Sequence, residues 1–285
     1  MSAMSTLPAS TARQRSAKQL VVHLVLIGAV AFTFAPLLWM LGLSLKEPAG
    51  IFDYPLRPLP TRPTLANYRD VIERLDVTRQ LVNSVVFAGG VTLLQLLIAI
   101  PAAFAFARWK FRGNTLIFSL MLLSIPIPFV VYYVPNYVLM ARWDLLNSYA
   151  GMILPQAASA YAIFLLRQHF RAFPRAIIEA ARLDGAGDLR MLWQVVLPNT
   201  VGAVTALAII IFIATWNEYV WPLLIAPDKS MYTLTVAVGA MSGGEGGTRW
   251  GATMAAAAIA SAFTLGAYLV SRKRLLKAMA EGGVK

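Results

Sequence analysis

Long apolar runs dominate the chain and predict membrane-spanning helices. A helix needs about 20 mostly apolar residues to cross the hydrocarbon core of a bilayer. Six charge-free runs are long enough, at residues 19–45, 80–107, 113–141, 145–166, 191–217 and 250–271. The fifth run continues past Glu218 to Pro227, and Pro198 near its start indicates the approach to the helix rather than its interior. The pattern predicts an all-α integral membrane protein with six transmembrane helices.

Prolines interrupt two of the predicted spans. Pro126, Pro128 and Pro135 lie in the third run and Pro155 lies in the fourth. Each removes a backbone hydrogen-bond donor and kinks or breaks a helix. In a transporter such breaks commonly line a cavity, whereas in a packed bundle they only bend a helix. The sequence alone leaves both interpretations open.

The first apolar run follows Arg13, Arg15 and Lys18, an arrangement that also begins secretory signal peptides. A signal core has about 7–15 apolar residues before a small-residue cleavage site. This run is longer and reaches Lys46 without a convincing cleavage site, so it predicts a retained helix. We expect a flexible cytoplasmic tail over residues 1–18, a transmembrane domain over 19–271 and a cytoplasmic tail over 272–285.

Charge is scarce and lies mainly on one side of the predicted bundle. Hydrophobic residues make up 58% of the chain and charged residues 13%, against about 25% charged in soluble domains. With both termini inside the cell, the cytoplasmic segments hold 16 Lys or Arg and four Asp or Glu, which accounts for the net charge of +12. The outer side is neutral. This asymmetry predicts a multi-pass membrane protein with both termini in the cytoplasm.

Several kinds of site are excluded by what the sequence lacks. The basic residues form no stripe interleaved with aromatic residues, which argues against a nucleic-acid partner. The chain has no cysteine, and His23 and His169 stand apart from carboxylates, so no metal site is predicted. No glycine-rich P-loop for ATP occurs, and no set of nucleophile and base indicates an enzyme.

The loop over residues 167–199 is the one substantial cytoplasmic loop, and it predicts a helix-turn-helix. Pro174 suits the first turn of a short helix, because its missing N–H costs nothing there. Gly185 tolerates a positive φ and suits the end of that helix. Asp188 could cap a second helix that leads into the fifth span. The loop is apolar enough to require a partner surface.

The same loop carries the motif of a known family. Glu179, Ala180 and Ala181 are followed after three residues by Gly185, and after nine more by Val-Val-Leu-Pro at residues 195–198. This resembles the E-A-A-x3-G-x9-I-x-L-P loop of binding-protein-dependent ABC importer permeases, although Val stands at position 195 where the family usually has Ile. The resemblance implies a MetI-like permease fold whose loop docks into a groove of a cytoplasmic ATPase subunit.

The resemblance also implies a function and partners. The chain would be a non-catalytic permease subunit in the bacterial inner membrane, surrounded by membrane lipid, that forms a translocation path with a second permease. Two ATPase subunits would bind ATP and Mg²⁺, this chain would bind no cofactor, and an extracytoplasmic binding protein would deliver the solute. The implied ATPase-coupling residues are Glu179, Ala180, Ala181, Leu183, Asp184, Gly185, Leu197 and Pro198.

Shorter motifs are similar to the carbohydrate subfamily, in particular to the maltose-type second permease and the glycerol-3-phosphate permease. They are Asn67-Tyr68, Asn83-Ser84, Pro135-Asn136-Tyr137, Trp250-Gly251 and residues 146–149, 216–219, 232–234 and 281–285. The implied solute is a sugar, such as an oligosaccharide or disaccharide, or sn-glycerol 3-phosphate. The sequence does not choose between them or identify which permease carries the main solute-binding residues.

Six residues are candidates for the solute path. Glu218 is the one acidic residue that interrupts an apolar run, and an ionisable group within a span is a functional candidate by default. Beside Trp216 and Tyr219, it could instead lie wet in an interfacial belt. Aromatic faces and amides suit a polyol or sugar, so the set comprises Tyr132, Tyr133, Asn136, Trp216, Asn217 and Glu218.

A secondary active solute transporter is the alternative function. It would need intramembrane charges for ion coupling, and Glu218 alone offers one. The glycine-rich segment 243–247 is relevant to the importer permease function and not to this alternative. The charge asymmetry predicts that it faces outside. Because it holds no core-forming residues, we expect it to be mobile when alone and to order on contact with the binding protein.

Overall fold

The protein is built from helices. The computed structural model describes residues 9–47, 51, 59–242 and 249–283, and every regular element in these ranges is helical, as predicted. The α-helices are α1 Ala9–Ser44, α2 Ala66–Arg74, α3 Val77–Arg108, α4 Asn114–Leu123, α5 Tyr133–Arg142, α6 Tyr149–Ile153, α7 Ala160–Ala172, α8 Arg175–Leu183, α9 Asp188–Arg190, α10 Leu197–Asn199, α11 Val201–Trp216, α12 Val220–Ile225, α13 Leu234–Met241 and α14 Trp250–Gly283. Short 3₁₀ helices lie at Phe129–Tyr132, Leu154–Gln156 and Lys229–Met231, and a π-helix lies at Met191–Val196.

Membrane-spanning helices are confirmed, and the count of six stays a prediction. In the described residues, Gln19–Ser44 of α1 and the whole of α3 are each long and apolar enough to cross a bilayer. Two bent pairs pass the same test of length and composition. Tyr149–Gln156 meets α7 at 52°, and Asp188–Asn199 meets α11 at 80°. The predicted glycine-rich loop at 243–247 lies outside the described residues.

Helices at both ends of the chain extend into the predicted tails. Helix α1 begins at Ala9, within the tail that we expected to be flexible, and α14 continues to Gly283. Residues 9–18 hold neither Gly nor Pro and include Ala, Arg, Gln and Lys, which are good helix formers. The helices therefore continue beyond the apolar runs that would span the membrane.

The prolines break two predicted spans where the sequence indicated. The third run divides into α4, the 3₁₀ helix Phe129–Tyr132 and α5, and Pro126 and Pro128 lie in the gap between α4 and the 3₁₀ helix. Pro135 lies in the first turn of α5, where a backbone donor is not needed. In the fourth run, the 3₁₀ helix with Pro155 precedes α7. The hydroxyl of Ser159 restarts that helix by accepting a hydrogen bond from the Ala162 N–H at 3.2 Å.

Helix α3 lies at the centre of the bundle, and α1 lies at its edge. Helix α3 packs against α7 and α11, and α14 packs against α1, α2 and α11. The main core contains Phe87, Phe104, Leu166, Phe170 and Trp221. The apolar side chains along α1 remain largely exposed, which leaves them for lipid or for another subunit.

Buried polar side chains fasten α13 to α3. The Asn83 amide donates to the carbonyl oxygens of Ser230 and Tyr232, both at 2.9 Å, and its oxygen accepts from the Tyr149 hydroxyl at 2.6 Å. The neighbouring Ser84 hydroxyl accepts from the Leu234 N–H at 2.9 Å. These bonds satisfy groups that would be costly to bury alone, and they fix the start of α13.

Helix α2 joins the end of α1 to the start of α14. The Asn67 amide donates to the carbonyl oxygens of Ser44 and Lys46 at 2.9 and 2.7 Å. Asp70 accepts from Arg74 at 2.5 Å and from Arg249 at 3.1 Å. Burial raises the pKa of Asp70, but the hydrogen bonds from these two arginines outweigh burial, so its pKa lies below the ordinary value.

Candidate functional site

The predicted coupling loop contains a short helix with a glycine-dependent end. Helix α8 follows Pro174, and Gly185 has φ +78°, which confirms the predicted positive φ. The Ala186 N–H donates to the Ala181 carbonyl and the Gly185 N–H donates to the Arg182 carbonyl, both at 3.0 Å. This pair of bonds is a Schellman motif, which satisfies the last carbonyls of the helix and requires a left-handed residue at Gly185.

One side of α8 packs on the core of the bundle. Ile178 is buried in the same cluster as Met191 and Leu192 of the π-helix, and Ala181 packs against that cluster. The two alanines of the implied coupling set therefore lie on different sides of α8. Ala180 faces outward, and Ala181 faces the chain's own core.

The opposite side of α8 is open. Glu179, Ala180, Leu183 and Asp184 are exposed, and Leu183 is 89% exposed. Leu189, in α9 of the same loop, is 71% exposed. Apolar side chains of this size at such exposure mark a surface that a partner can cover.

The second half of the loop differs from the predicted capped helix. Gly187, and not Asp188, lies at the N-cap of α9, and no side chain caps that helix. Asp188 is the first helical residue, where its carboxylate lies near the positive end of the helix dipole. The helix then continues as the π-helix Met191–Val196 and not as a regular α-helix. Leu197 is half-buried and Pro198 exposed, just before the 80° bend into α11.

Arginines tie this loop to the membrane helices. A terminal nitrogen of Arg108, at the end of α3, donates to the carbonyl oxygens of Phe170 and Phe173 at 2.5 and 3.1 Å. Arg167 donates to the Phe106 carbonyl at 3.1 Å and lies 3.8 Å from the centre of the Phe118 ring. The junction between α7 and α8 is therefore held against the end of α3.

Glu218 lies in a hydrogen-bonded aromatic cluster. Its Oε1 accepts a hydrogen bond from the Tyr133 hydroxyl at 3.0 Å and another from the backbone N–H of Trp221 at 3.2 Å. The rings of Tyr133 and Trp221 stack at 6.1 Å, and the Trp221 indole donates to the Met152 carbonyl at 3.0 Å. Glu218 therefore joins α5 to α12, and Trp221 joins α12 to α6.

Tyr132 and Asn136 lie elsewhere, on the wall of a separate cavity of about 400 Å³. Their cavity lies between the break in the third run and the break in the fourth run. Its other polar lining residues are Ser124, Ser159 and Tyr161. Tyr132 and Tyr133 point to different places because successive side chains on a helix turn by about 100°.

Trp216 and Asn217 line a different cavity from that of Tyr132 and Asn136. Trp216 is buried, and its ring stacks on Phe263 of α14 at 4.6 Å. Both residues line a mainly apolar cavity of about 650 Å³ that is also lined by residues of α1, α13 and α14. The Asn217 amide donates to the Ile213 carbonyl of its own helix at 2.7 Å. The structure thus brings the six candidates together in pairs, and not as one site.

Tyr161 and Ser159 are cavity residues that the sequence reasoning did not select. The available signal was their position at the restart of a broken helix, since Ser159 is the N-cap of α7 and Tyr161 follows it by two residues. No group of three or more His, Cys, Asp or Glu residues suited to a metal ion occurs in the described residues.

Residues 95–275 match the model of a protein family described as binding-protein-dependent transport system inner membrane component. The sn-glycerol-3-phosphate transport system permease protein of Salmonella typhi is 33% identical over 241 residues, which cover 82% of this chain and 86% of that protein. The protein of the same name from Pectobacterium atrosepticum is also 33% identical, with the same coverage.

A solved structure has the same fold. It is the crystal structure of a bacterial ABC transporter involved in the import of the acidic polysaccharide alginate. One of its chains superposes with a TM-score of 0.79 at 20% sequence identity, covering 94% of this chain and 99% of that chain.

Proposed function

This chain belongs to the family of binding-protein-dependent transport system inner membrane components and is a permease subunit of an ABC importer, and we propose that it carries a sugar or sn-glycerol 3-phosphate inward. The relatives named for sn-glycerol 3-phosphate support that solute, and the sugar is supported by the motifs similar to the carbohydrate subfamily. The chain would form the path with a second permease and take its solute from an extracytoplasmic binding protein.

The exposed side of α8 is the observation that carries the proposed coupling to ATP. Leu183 is 89% exposed at the tip of a helix whose other side is anchored by Ile178. Such an anchored apolar tip suits insertion into a groove of an ATPase subunit. Glu179 and Asp184 would lie at the rim of that contact, where polar residues are expected.

Movement of α8 has a physical route into the membrane helices. Ile178 packs in the same core as Met191, and the π-helix that contains Met191 leads through α10 to the bend at α11. Arg108 connects the same loop to α3. Closure of two ATPase subunits on ATP and Mg²⁺ would therefore shift α3 and α11 together and change the side to which the path opens.

The proposed subunit is not an enzyme and binds no nucleotide itself. ATP and Mg²⁺ would bind to the partner ATPase subunits, and the chain would lie in the bacterial inner membrane with both termini in the cytoplasm. The distribution of basic residues supports this orientation.

Reconstitution tests the proposed function. The chain is expressed with its second permease and the ATPase subunits, placed in proteoliposomes and supplied with the binding protein and labelled solute. We expect uptake that requires ATP on the ATPase side and that persists after ion gradients are collapsed. Uptake that follows an ion gradient without ATP would contradict the proposal and indicate a secondary transporter.

A further inference from the structure

Two helix breaks meet at one cavity. The break after α4 contributes Ser124 and Tyr132, and the break before α7 contributes Ser159 and Tyr161 to a space of about 400 Å³. Helix interruptions at membrane depth are tolerated where they are buried in protein or line a cavity. The volume lies within the range of about 300–1,000 Å³ that is usual for ligand pockets.

Three side chains on the wall have all of their hydrogen-bonding groups free. The Ser124 hydroxyl donates to the Met121 carbonyl at 2.7 Å and the Ser159 oxygen accepts from the Ala162 N–H, so each serine already makes one hydrogen bond. Tyr132, Asn136 and Tyr161 make no side-chain hydrogen bond within the described part of the chain. Together they offer two hydroxyls and one amide, which can each donate and accept.

None of the residues that line this cavity is charged. An anionic solute would therefore meet no compensating cation among the lining residues of this chain. Taking an ion out of water without a partner is unfavourable, so this wall disfavours an anion.

We propose that this cavity is the solute contact of this chain and that the solute is an uncharged polyhydroxylated molecule, such as a disaccharide. Tyrosine faces pack on the C–H face of a sugar ring, and the hydroxyls and the amide replace its bonds to water. Tyr161 is thereby assigned as a solute-contacting residue. The inference rests on the proposed function and selects the neutral sugar over the glycerol phosphate named for the relatives.

The solute class is tested on the complete transporter in proteoliposomes with its binding protein. The probes are labelled maltose, labelled trehalose and labelled sn-glycerol 3-phosphate, each with ATP. We expect uptake of at least one disaccharide and none of the phosphate ester. The solute class is overturned if the phosphate ester is taken up, or if neither disaccharide is.

ATP hydrolysis is measured in the same vesicles, with and without the binding protein. Absence of stimulated hydrolysis would overturn the proposed function itself. Stimulated hydrolysis with the wrong solute would overturn only the solute class.

Substitutions test the cavity assignment. Tyr161→Phe and Asn136→Leu should each lower kcat/KM for uptake about tenfold, because each removes a hydrogen bond to the solute. Tyr137→Phe is the matched control, since Tyr137 lies on the same helix as Asn136 but does not line the cavity. Copurification of all subunits verifies assembly, and Tyr161→Phe removes only one oxygen atom from an exposed side chain. If Tyr161→Phe behaves like the control, the assignment is wrong.

Discussion

Two glycines in the loop between α8 and the π-helix differ in backbone conformation and little else. Gly185 has a positive φ and Gly187 does not, and a Cβ at either position would meet no atom within 4 Å. Space is therefore not the constraint at Gly185. The constraint is the left-handed conformation, which costs most residues about 1–2 kcal/mol.

Serine at each glycine separates conformation from bulk. Gly185→Ser should weaken the end of α8 by about 1–2 kcal/mol and lower the copurification of ATPase subunits and their stimulated hydrolysis. Gly187→Ser should have little effect, since serine is a favourable N-cap residue. Gly185→Asn should retain more coupling than Gly185→Ser, because asparagine tolerates positive φ. Equal behaviour of the two serine variants would show that the conformation of Gly185 does not matter for coupling.

Glu218 combines an acceptor role with a charge, and substitution can separate them. Glu218→Gln keeps an oxygen that can accept from Tyr133 and Trp221, so the subunits should still assemble. It removes the negative charge, so the rate of solute uptake should change. Uptake measured in proteoliposomes with ATP checks this. Unchanged uptake and solute preference would mean that Glu218 only holds the helices together.

Helices α2 and α14 approach each other closely because Gly251 has no side chain. A Cβ at Gly251 would lie only 2.4 Å from the Asn67 side-chain oxygen, and Asn67 is itself held by Ser44 and Lys46. Asn67 could move only by losing the bonds that cap α1. The contact between α2 and α14 therefore depends on one glycine.

Alanine at Gly251 should destabilise this contact by about 1–3 kcal/mol, the usual cost of overpacking. Gly266→Ala in the same helix is the control, because a Cβ there meets no atom within 4 Å. The control should be neutral or slightly stabilising, since alanine favours helix over glycine. Thermal unfolding of the purified complex in detergent measures both. Equal midpoints for the two variants would contradict the close contact.

Orientation of the whole molecule follows from its charge asymmetry and can be tested with cysteines, because the natural chain has none. Single cysteines at Ser16 and Ala280 should be protected from a membrane-impermeant thiol reagent in intact spheroplasts. A cysteine at Ser242, after α13, should be labelled. Labelling at Ser16 or Ala280, or protection at Ser242, would contradict the predicted topology.

Docking of the whole subunit on the ATPase can be tested at Leu183. A cysteine there should cross-link to a cysteine placed in the groove of the ATPase subunit, with a yield that changes on adding ATP. Ile178→Cys is the control, since Ile178 lies on the same helix and is buried against the core. Equal cross-linking at both positions, or none at Leu183 in any nucleotide state, would show that this face of α8 is not the contact.

Features that depend on a few neighbouring residues could be predicted from the sequence, and contacts between residues far apart along the chain could not. The positive φ of Gly185 and the break at Pro126 and Pro128 were predicted correctly, because both depend on local backbone geometry. The cap at Asp188 was wrong by one residue, since Gly187 occupies the N-cap. Asn83 was noticed only as part of a motif, and its bonds to residues about 150 positions away could not be foreseen.

The sequence by itself determined the helical class, the apolar runs, the positions of the breaks and the loop that resembles an ATPase-docking motif. These follow from run length, proline and glycine geometry, and charge, which act over a few residues. Only the tertiary structure decided that Glu218 binds Tyr133 and that Tyr161 shares a cavity with Asn136. Such neighbours depend on bend angles and helix rotations, which are set by packing across the whole bundle.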